Sequence, residues 1–168
     1  VADAKPGNFM AGNISNSNIW DPADPAKQDE VRAMFSEMVG WAVEEGADLI
    51  IGETFYFAGE AIAAAEIAKA SGLPVVLTLA PMAFQEMADG AGIVETAQRL
   101  EQLGVDVVGL NCFRGPATML PWLKEIRAAV SCHVGALPIP YRTTEEEPTF
   151  FNLSDPRAAV PSPHGRTF

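Results

Sequence analysis

Two pairs of chemically active residues in this sequence follow apolar runs at points where a strand would end. Glu53 and Thr54 come directly after LIIG, and Asn111 and Cys112 come after VVGL. A carboxylate can bind a cation, a carboxamide can donate and accept hydrogen bonds, and a thiolate can act as a nucleophile or a metal ligand. These residue types together would suit a small ligand that carries an ammonium group.

Glu53 is predicted to begin close to a dry core, because its carboxylate follows a wholly apolar stretch. A buried carboxylate is costly unless a cation or several hydrogen-bond donors meet it. A substrate ammonium would be such a cation. A salt bridge or a helix-capping role is the alternative for this residue.

Cys112 is one of only two cysteines in the chain. A buried free cysteine commonly acts as a small hydrophobic residue, so spacing alone leaves a packed sulfur and a reactive group both open. Cys132 precedes a predicted strand and would pack at the opposite end of the sheet. The two cysteines make no C-x-x-C motif, and His133 and His164 lie at no spacing typical of metal ligands.

The elements that must position these residues alternate between strand and helix. Asp24 is predicted to be the N-cap of the first helix, with Pro25 at its first position. Gly46 and Gly72 are predicted to end the first and the second helix. Thr118 is predicted to cap the fourth helix, which would place Pro121 in its first turn. The predicted strands are 8–15, 47–55, 73–80, 105–112 and 133–139, and residues 140–168 are predicted to form a long irregular loop.

Apolar strands without alternation, joined by helices, indicate an α/β fold with a parallel sheet. An open doubly wound sheet of five strands and an arc of a (β/α)8 barrel both fit this pattern. Neither G-x-G-x-x-G nor a P-loop follows any predicted strand. In both architectures the carboxyl ends of the strands share one rim, where ligands bind; the polar or turn residues at those ends are Asn13, Ser15, Glu53, Thr54, Thr78, Asn111, Cys112, Pro138 and Tyr141.

Composition limits the classes of function. The 168 residues are 48% hydrophobic and 20% charged, typical of one globular domain, and no apolar run is long enough for a membrane span. A net charge of −11 without a basic cluster argues against nucleic acid and anionic membranes as partners. So few cysteines favour a reducing, cytoplasmic location. The chain begins with Val and ends without a closing element, so we expect it to be cut at both ends.

Four stretches together resemble the homocysteine S-methyltransferase family, on its betaine–homocysteine methyltransferase-like branch. They are AGNISNSNI, VGWAVEEGADLIIGETF, VVGLNCFRGPATMLP and ALPIPYRTT, and the resemblance runs from about residue 8 to about 155. It implies a (β/α)8 TIM barrel, of which the five strands here would be the third to the seventh. The chain would then be an internal fragment of the homocysteine-binding domain, covering residues 1–168.

The resemblance also implies roles for particular residues. Cys112 would be a zinc ligand, Asn111 its neighbour in the motif, and Glu53 the carboxylate that holds the ammonium of homocysteine. In the family, zinc binds homocysteine as a thiolate, which attacks the methyl group of a sulfonium or quaternary ammonium donor. The family's Cys-Cys pair, which completes the zinc site, is absent from this sequence. We therefore expect the fragment alone to hold no zinc tightly and to be inactive.

Asn111, Thr54 and Tyr141 are further candidates for substrate binding, Tyr141 because it lies in the matching PYRTT stretch. Trp20, Phe55 and Tyr56 also follow strand ends, and aromatic faces attract a cationic methyl donor by roughly 0.5–2 kcal/mol. Packing of loops is the alternative role for these aromatic residues. The sequence identifies neither the methyl donor nor an oligomeric state.

Two other hypotheses stay open at this point. The first is a complete, non-catalytic five-stranded domain of the flavodoxin type that binds a small molecule. The second is a different barrel enzyme in which Cys112 is a covalent nucleophile. That mechanism needs a base close to the thiol, and His133 lies at the start of its strand, on the wrong rim.

Overall fold

The structure, a computed structural model, describes residues 7–82 and 84–153, along which strands and helices alternate. All five predicted strands are confirmed, each shorter than its apolar run because the first residues of most runs belong to the preceding loop. The strands are β1 (Ala11–Ser15), β2 (Leu49–Phe55), β3 (Val75–Leu79), β4 (Val107–Asn111) and β5 (His133–Leu137).

The first two helices follow the predicted signals. Asp24 caps α1, since its side chain accepts the N–H groups of Ala26 and Lys27, and Pro25 is the first helical residue. Gly46 and Gly72 follow α1 and α2 in the left-handed conformation, with φ of +77° and +80°. The helices are α1 (Pro25–Glu44), α2 (Ala58–Ala70), α3 (Ile93–Gln102) and α4 (Pro116–Ala129).

The predicted cap at Thr118 is wrong. Helix α4 begins at Pro116, with Gly115 as the N-cap, so Pro121 lies inside the helix beyond its first turn. The hydroxyl of Thr143 accepts the N–H of Gly115 at 2.9 Å and is bonded to the Thr118 hydroxyl at 2.6 Å. A residue from the loop after β5 therefore satisfies the start of α4, which makes a cap within the helix sequence unnecessary.

The five strands form one parallel sheet in the order β1-β2-β3-β4-β5, each paired with its neighbour in the chain. A flavodoxin-type sheet would place the first strand between the second and the third. Here β1 pairs with β2 alone among the described strands, so the flavodoxin hypothesis is wrong. Consecutive parallel strands without a reversal of order are the arrangement of a (β/α)8 barrel arc.

The helices pack in one layer, because α1 contacts α2, α2 contacts α3 and α3 contacts α4. Side chains that alternate toward this layer are buried, among them Ile14, Ile50 and Leu77. Residues on the opposite face are less covered: Ile51 is half-buried, and Leu137 is 58% exposed. Among the described residues, the side of the sheet that would face the interior of a barrel is therefore open, although apolar strands without alternation are typical of a sheet covered on both faces.

Helix α1 buries only some of the apolar residues that recur along it at helical spacing. Val31, Phe35 and Val39 are buried, one turn apart, whereas Met34 is 36% exposed. Met38 and Ala42 pack partly against the core. In the chain that the structure describes, no helix combines the length and apolar character needed to cross a membrane.

The predicted loop from residue 140 contains a short 3₁₀ helix, Phe150–Asn152. This segment folds back onto the turn after β4, since the N–H of Phe150 donates to the carbonyl of Phe113 at 2.9 Å. The Phe113 and Phe150 rings lie 6.3 Å apart and nearly parallel. Residues 154–168, including His164, lie outside the described residues.

Candidate functional site

The predicted polar residues lie at the carboxyl ends of the strands, along one rim of the sheet. Ser15 is paired with Glu53 across β1 and β2, while Asn111 is the last residue of β4. Because the strands are parallel and adjacent, these ends come close together in space. Hydrogen bonds between β2, β3 and β4 connect the side chains directly.

Asn111 is the centre of this hydrogen-bond network. Its carboxamide oxygen accepts the backbone N–H of Thr54 at 2.9 Å and the hydroxyl of Thr78 at 3.0 Å. Its amide nitrogen donates to the hydroxyl of Thr54 at 2.8 Å. The residue is only 5% exposed, so three strands are joined by one buried carboxamide.

Thr54 has a φ of +65°, which is rare for a β-branched residue. It lies in a bulge, because Phe55 is three residues beyond Gly52 on β2 while its partner Leu79 is two residues beyond Leu77 on β3. Such a left-handed backbone costs about 1–3 kcal/mol and persists only where the surroundings enforce it. Two hydrogen bonds join Thr54 to Asn111 at this position, one from its backbone N–H and one to its hydroxyl.

Glu53 lies beside this bulge and accepts a hydrogen bond from the side-chain amide of Asn13 at 2.9 Å. Glu53 is half-buried, so the expected dry environment is wrong for this chain: the open face of the sheet leaves the carboxylate in contact with water. Its charge is oriented by Asn13 and is free to meet a cation from the open side. An ammonium group is one cation that would fit.

Cys112 follows β4 and is partly exposed with a free thiol. It is held in a tight turn, since Cys112 and Phe113 have φ of +57° and +48°. Its backbone N–H donates to the carbonyl of Leu137 at 3.1 Å, which connects the turn to the end of β5. Cys112 therefore lies at the same rim of the sheet as Glu53.

The described residues do not by themselves make a zinc site. Zinc in proteins takes three or four ligands from cysteine, histidine or carboxylate groups. Within residues 7–82 and 84–153, no three such side chains come together in a way that could hold a metal ion. Cys112 can supply one ligand, and the rest of a site would have to come from elsewhere.

Cys132 and His133 lie at the other end of the sheet, as predicted. His133 is the first residue of β5 and is exposed, so it cannot act as a base for Cys112. Cys132 packs against the hydrophobic core, and burial raises the pKa of its thiol, helped by the nearby Glu101 carboxylate. Cys132 is a structural residue.

Only some of the predicted aromatic residues are exposed at the rim. Phe55 is fully buried and packs edge-on against Phe35 at 5.9 Å, so its predicted role toward a cation is wrong. The bulge turns it into the core. Trp20 lies partly buried against Gly59, and Tyr56 donates its hydroxyl to Asn18 at 3.1 Å. Tyr141 is 51% exposed, stacked at 6.0 Å on Phe150.

Two charged residues near the rim were missed by the sequence analysis. Glu60 is fully buried at the start of α2 and accepts hydrogen bonds from the N–H and hydroxyl of Ser17 at 2.7 and 2.6 Å. Burial raises the pKa of its carboxyl, although the bonds from Ser17 oppose this. The contact ties the loop after β1 to α2. The signal available in the sequence was a glutamate in the first turn of the alanine-rich helix α2.

Arg114 is the second missed residue. It is 4% exposed, its guanidinium stacks 3.7 Å above the Trp122 ring, and it donates to the carbonyl of Met82 at 3.0 Å. Burial lowers the pKa of this side chain to about 10, so it remains charged at neutral pH. A positive charge therefore lies two residues after Cys112. No spacing rule in the sequence pointed to it.

A cleft of about 410 Å³ lies away from this rim, between α2 and α3 in the helical layer. Its walls include Ala58, Glu95 and Arg99 but none of the predicted site residues. The rim itself is an open surface formed by the strand ends. Its chemistry is a carboxylate, a hydrogen-bonded carboxamide and hydroxyl pair, and a thiol.

Comparison with known proteins gives consistent matches. The sequence model of the family described as Homocysteine S-methyltransferase matches residues 2–154. The chain is 32% identical over 142 residues to betaine–homocysteine S-methyltransferase 1 of Xenopus tropicalis, covering 82% of this chain and 34% of the frog protein. It is 29% identical over 143 residues to S-methylmethionine–homocysteine S-methyltransferase BHMT2 of Pongo abelii, covering 82% and 38%.

Solved structures agree on the fold. The homocysteine methyltransferase MmuM from Escherichia coli, in its apo form, superposes with a TM-score of 0.56 at 18% identity, covering 83% of this chain and 60% of that chain. An isomerase from Streptomyces coelicolor A3(2) gives a TM-score of 0.52 at 15% identity, covering 78% and 34%. The chain spans about a third of the length of the frog relative.

Proposed function

This chain belongs to the homocysteine S-methyltransferase family, and we propose that it forms the homocysteine-binding part of an enzyme that methylates homocysteine to methionine. The methyl donor is a sulfonium or quaternary ammonium compound. The homocysteine thiolate attacks the methyl carbon, a new S–C bond forms, and the donor's C–S or C–N bond breaks. Its electron pair stays on the neutral sulfide or amine that leaves, and the thiol proton is lost before the attack.

The observation that carries this proposal is the rim formed by β2 and β4. Glu53 lies at the end of β2 and Cys112 follows β4, with β3 between the two strands. The Asn111–Thr54 hydrogen bonds join the two strand ends across β3. Homocysteine has an ammonium group at one end and a thiol at the other. A half-buried carboxylate would bind the ammonium through a charge-assisted hydrogen bond, which leaves the thiol directed toward Cys112.

We further propose that the intact enzyme depends on zinc, with Cys112 as one ligand. Zinc coordination by thiolates is the chemistry that Cys112 suits. The described residues supply no complete site, so the other ligands would come from parts of the protein beyond them. The 168-residue chain alone is then expected to hold no zinc tightly and to be inactive.

The longer protein would complete the barrel. The chain covers 34% of the frog relative, and β1 and β5 each have a strand neighbour on one side only in the described sheet. We propose that these five strands are the third to seventh of a (β/α)8 barrel in the cytoplasm. The missing strands would cover the open inner face and narrow the rim into a pocket.

We propose that an aromatic side chain near the rim contacts the positively charged centre of the methyl donor. Two of the matched relatives are named for different donors, betaine and S-methylmethionine, and both donors carry a cationic methyl-bearing centre. Tyr141 is the aromatic candidate that we favour, because its ring is about half exposed after β5. An aromatic face within reach of such a centre contributes roughly 0.5–2 kcal/mol.

Methionine formation tests the proposal. We expect the full-length protein, given homocysteine and either betaine or S-methylmethionine, to form methionine with at least one donor, measured by mass spectrometry with a labelled methyl group. Homoserine, which has oxygen in place of sulfur, is the matched control and should not be methylated. Absence of labelled methionine with every sulfonium and quaternary donor tried, from a folded protein supplied with zinc, would contradict the proposal.

A further inference from the structure

We propose that Asn111 is a positioning residue: its carboxamide holds the β2 bulge and so fixes the direction in which Glu53 faces the substrate. This inference deepens the proposed function and rests on it for the identity of the substrate. It assigns Asn111 a role distinct from direct contact with homocysteine.

The carboxamide of Asn111 is already occupied by the protein. Its oxygen accepts two hydrogen bonds, from the N–H of Thr54 and the hydroxyl of Thr78, and its nitrogen donates to the hydroxyl of Thr54. A carboxamide oxygen has two lone pairs and the nitrogen two N–H groups. Only one N–H is left, and the residue is 5% exposed, so its bonds act within the sheet.

The bulge determines which side chains of β2 lie on the inner face of the sheet. In a regular strand, neighbouring side chains alternate between the two faces. The side chains of Glu53 and Phe55 would then lie on the inner face of the sheet and that of Thr54 on the helical face. The extra residue in β2 changes this order. The Thr54 hydroxyl accepts a hydrogen bond from Asn111 on the inner face, and Phe55 is fully buried in the core.

Holding the bulge requires a partner for the Thr54 backbone. The N–H of Thr54 donates to the carboxamide oxygen of Asn111, which lies 57 positions along the chain. Thr54 itself has a φ of +65°, a left-handed conformation that is unfavourable for a β-branched residue. Without that partner the backbone at Thr54 would be free to return to an extended form. Glu53, the preceding residue, would stay on the same face of the sheet, but the backbone that follows it would no longer be fixed, so its carboxylate would be held less firmly toward the substrate.

Few side chains can do what Asn111 does. The site needs an acceptor for an N–H and a donor for a hydroxyl at the same short distance from the backbone. Aspartate could accept these hydrogen bonds only by placing a charge in a buried site, alanine loses all of them, and glutamine is longer by one methylene in a buried space. Asparagine is therefore the side chain that suits this position.

The test combines a structural and a functional measurement on Asn111→Ala. In the 168-residue chain we expect amide hydrogen exchange at Thr54, followed by NMR, to become about tenfold faster or more, as loss of one buried hydrogen bond implies. In the full-length protein we expect the Kd for homocysteine to rise about tenfold. Gln98→Ala is the matched control, since it removes a carboxamide bonded to a backbone carbonyl in the helical layer, and should change neither quantity.

Thr54→Gly separates positioning from general packing. Glycine adopts a positive φ without strain, so a bulge built with glycine depends less on Asn111. We expect the losses in homocysteine affinity from Asn111→Ala and Thr54→Gly to be less than additive in the double variant. Strict additivity, or unchanged exchange at Thr54 in Asn111→Ala, would overturn the inference.

The remaining outcomes are also decisive. Faster exchange at Thr54 with unchanged homocysteine affinity would show that the bulge does not position Glu53, and would overturn the inference. Failure of the unaltered full-length protein to bind homocysteine would overturn the proposed function instead. In that case the exchange measurement alone still decides whether Asn111 holds the bulge.

Discussion

Replacing Cys112 with alanine in the full-length protein is expected to abolish methyl transfer, with a loss in rate of about a hundredfold or more. The substitution removes one sulfur atom at the rim and leaves the backbone of the turn intact, because the N–H of residue 112 still reaches the Leu137 carbonyl. Zinc content, measured by atomic emission on the purified protein, should fall together with the activity. The loss would come from chemistry at this position, since folding is expected to be preserved.

Cys132→Ala is the matched control for Cys112→Ala. It removes the chain's other cysteine, which packs against the core at the opposite end of the sheet. We expect this variant to keep its zinc and its methyl transfer, with at most a modest loss of stability. Full activity in Cys112→Ala would mean that Cys112 only packs against its neighbours, and it would contradict the zinc proposal.

Replacing Glu53 with glutamine is expected to raise the Kd for homocysteine about 10- to 100-fold, the usual value of a hydrogen bond to a charged group. Glutamine keeps the size of the side chain and an oxygen for the amide of Asn13, which donates to Glu53 at 2.9 Å. Only the charge that meets the ammonium is lost. Isothermal titration calorimetry measures the change, and zinc content should stay the same.

Two controls separate an ammonium contact from a general effect of charge. Glu66→Gln neutralises an exposed carboxylate that pairs with Arg32 on the helical layer, and such surface pairs contribute little. 4-Mercaptobutanoate lacks the ammonium of homocysteine, so Glu53→Gln should not weaken its binding. Equal weakening of homocysteine and of this analogue would mean that Glu53 does not hold the ammonium.

The elements of the fold could be predicted because their signals are local. Asp24 and Pro25 start α1 through contacts within four residues, and Gly46 ends it through its own backbone conformation. The strands were marked by short apolar runs between such signals. The sequence left two architectures open for the order of the strands. The pairing of β2 with β3, which leaves β1 at the edge of the described sheet, distinguished between them.

The details of the site depend on contacts between distant residues. The Thr54 bulge needs Asn111, 57 positions away, and the cap of α4 needs Thr143, 28 positions from Gly115. Neither pairing has a signature in the local sequence. For this reason the predicted placement of Glu53 and Asn111 at one rim agrees with the structure. The predicted exposure of Phe55 and the predicted cap of α4 by Thr118 do not.

The crystal structure of the full-length protein with homocysteine tests the central claim most directly. The claim is that the rim formed by β2 and β4 binds homocysteine by both of its ends. We predict that the ammonium lies within hydrogen-bond distance of the Glu53 carboxylate, with the sulfur directed to Cys112 and the Asn111–Thr54 bonds preserved. Homocysteine bound away from this rim, or with its ammonium held by other residues, would contradict the account.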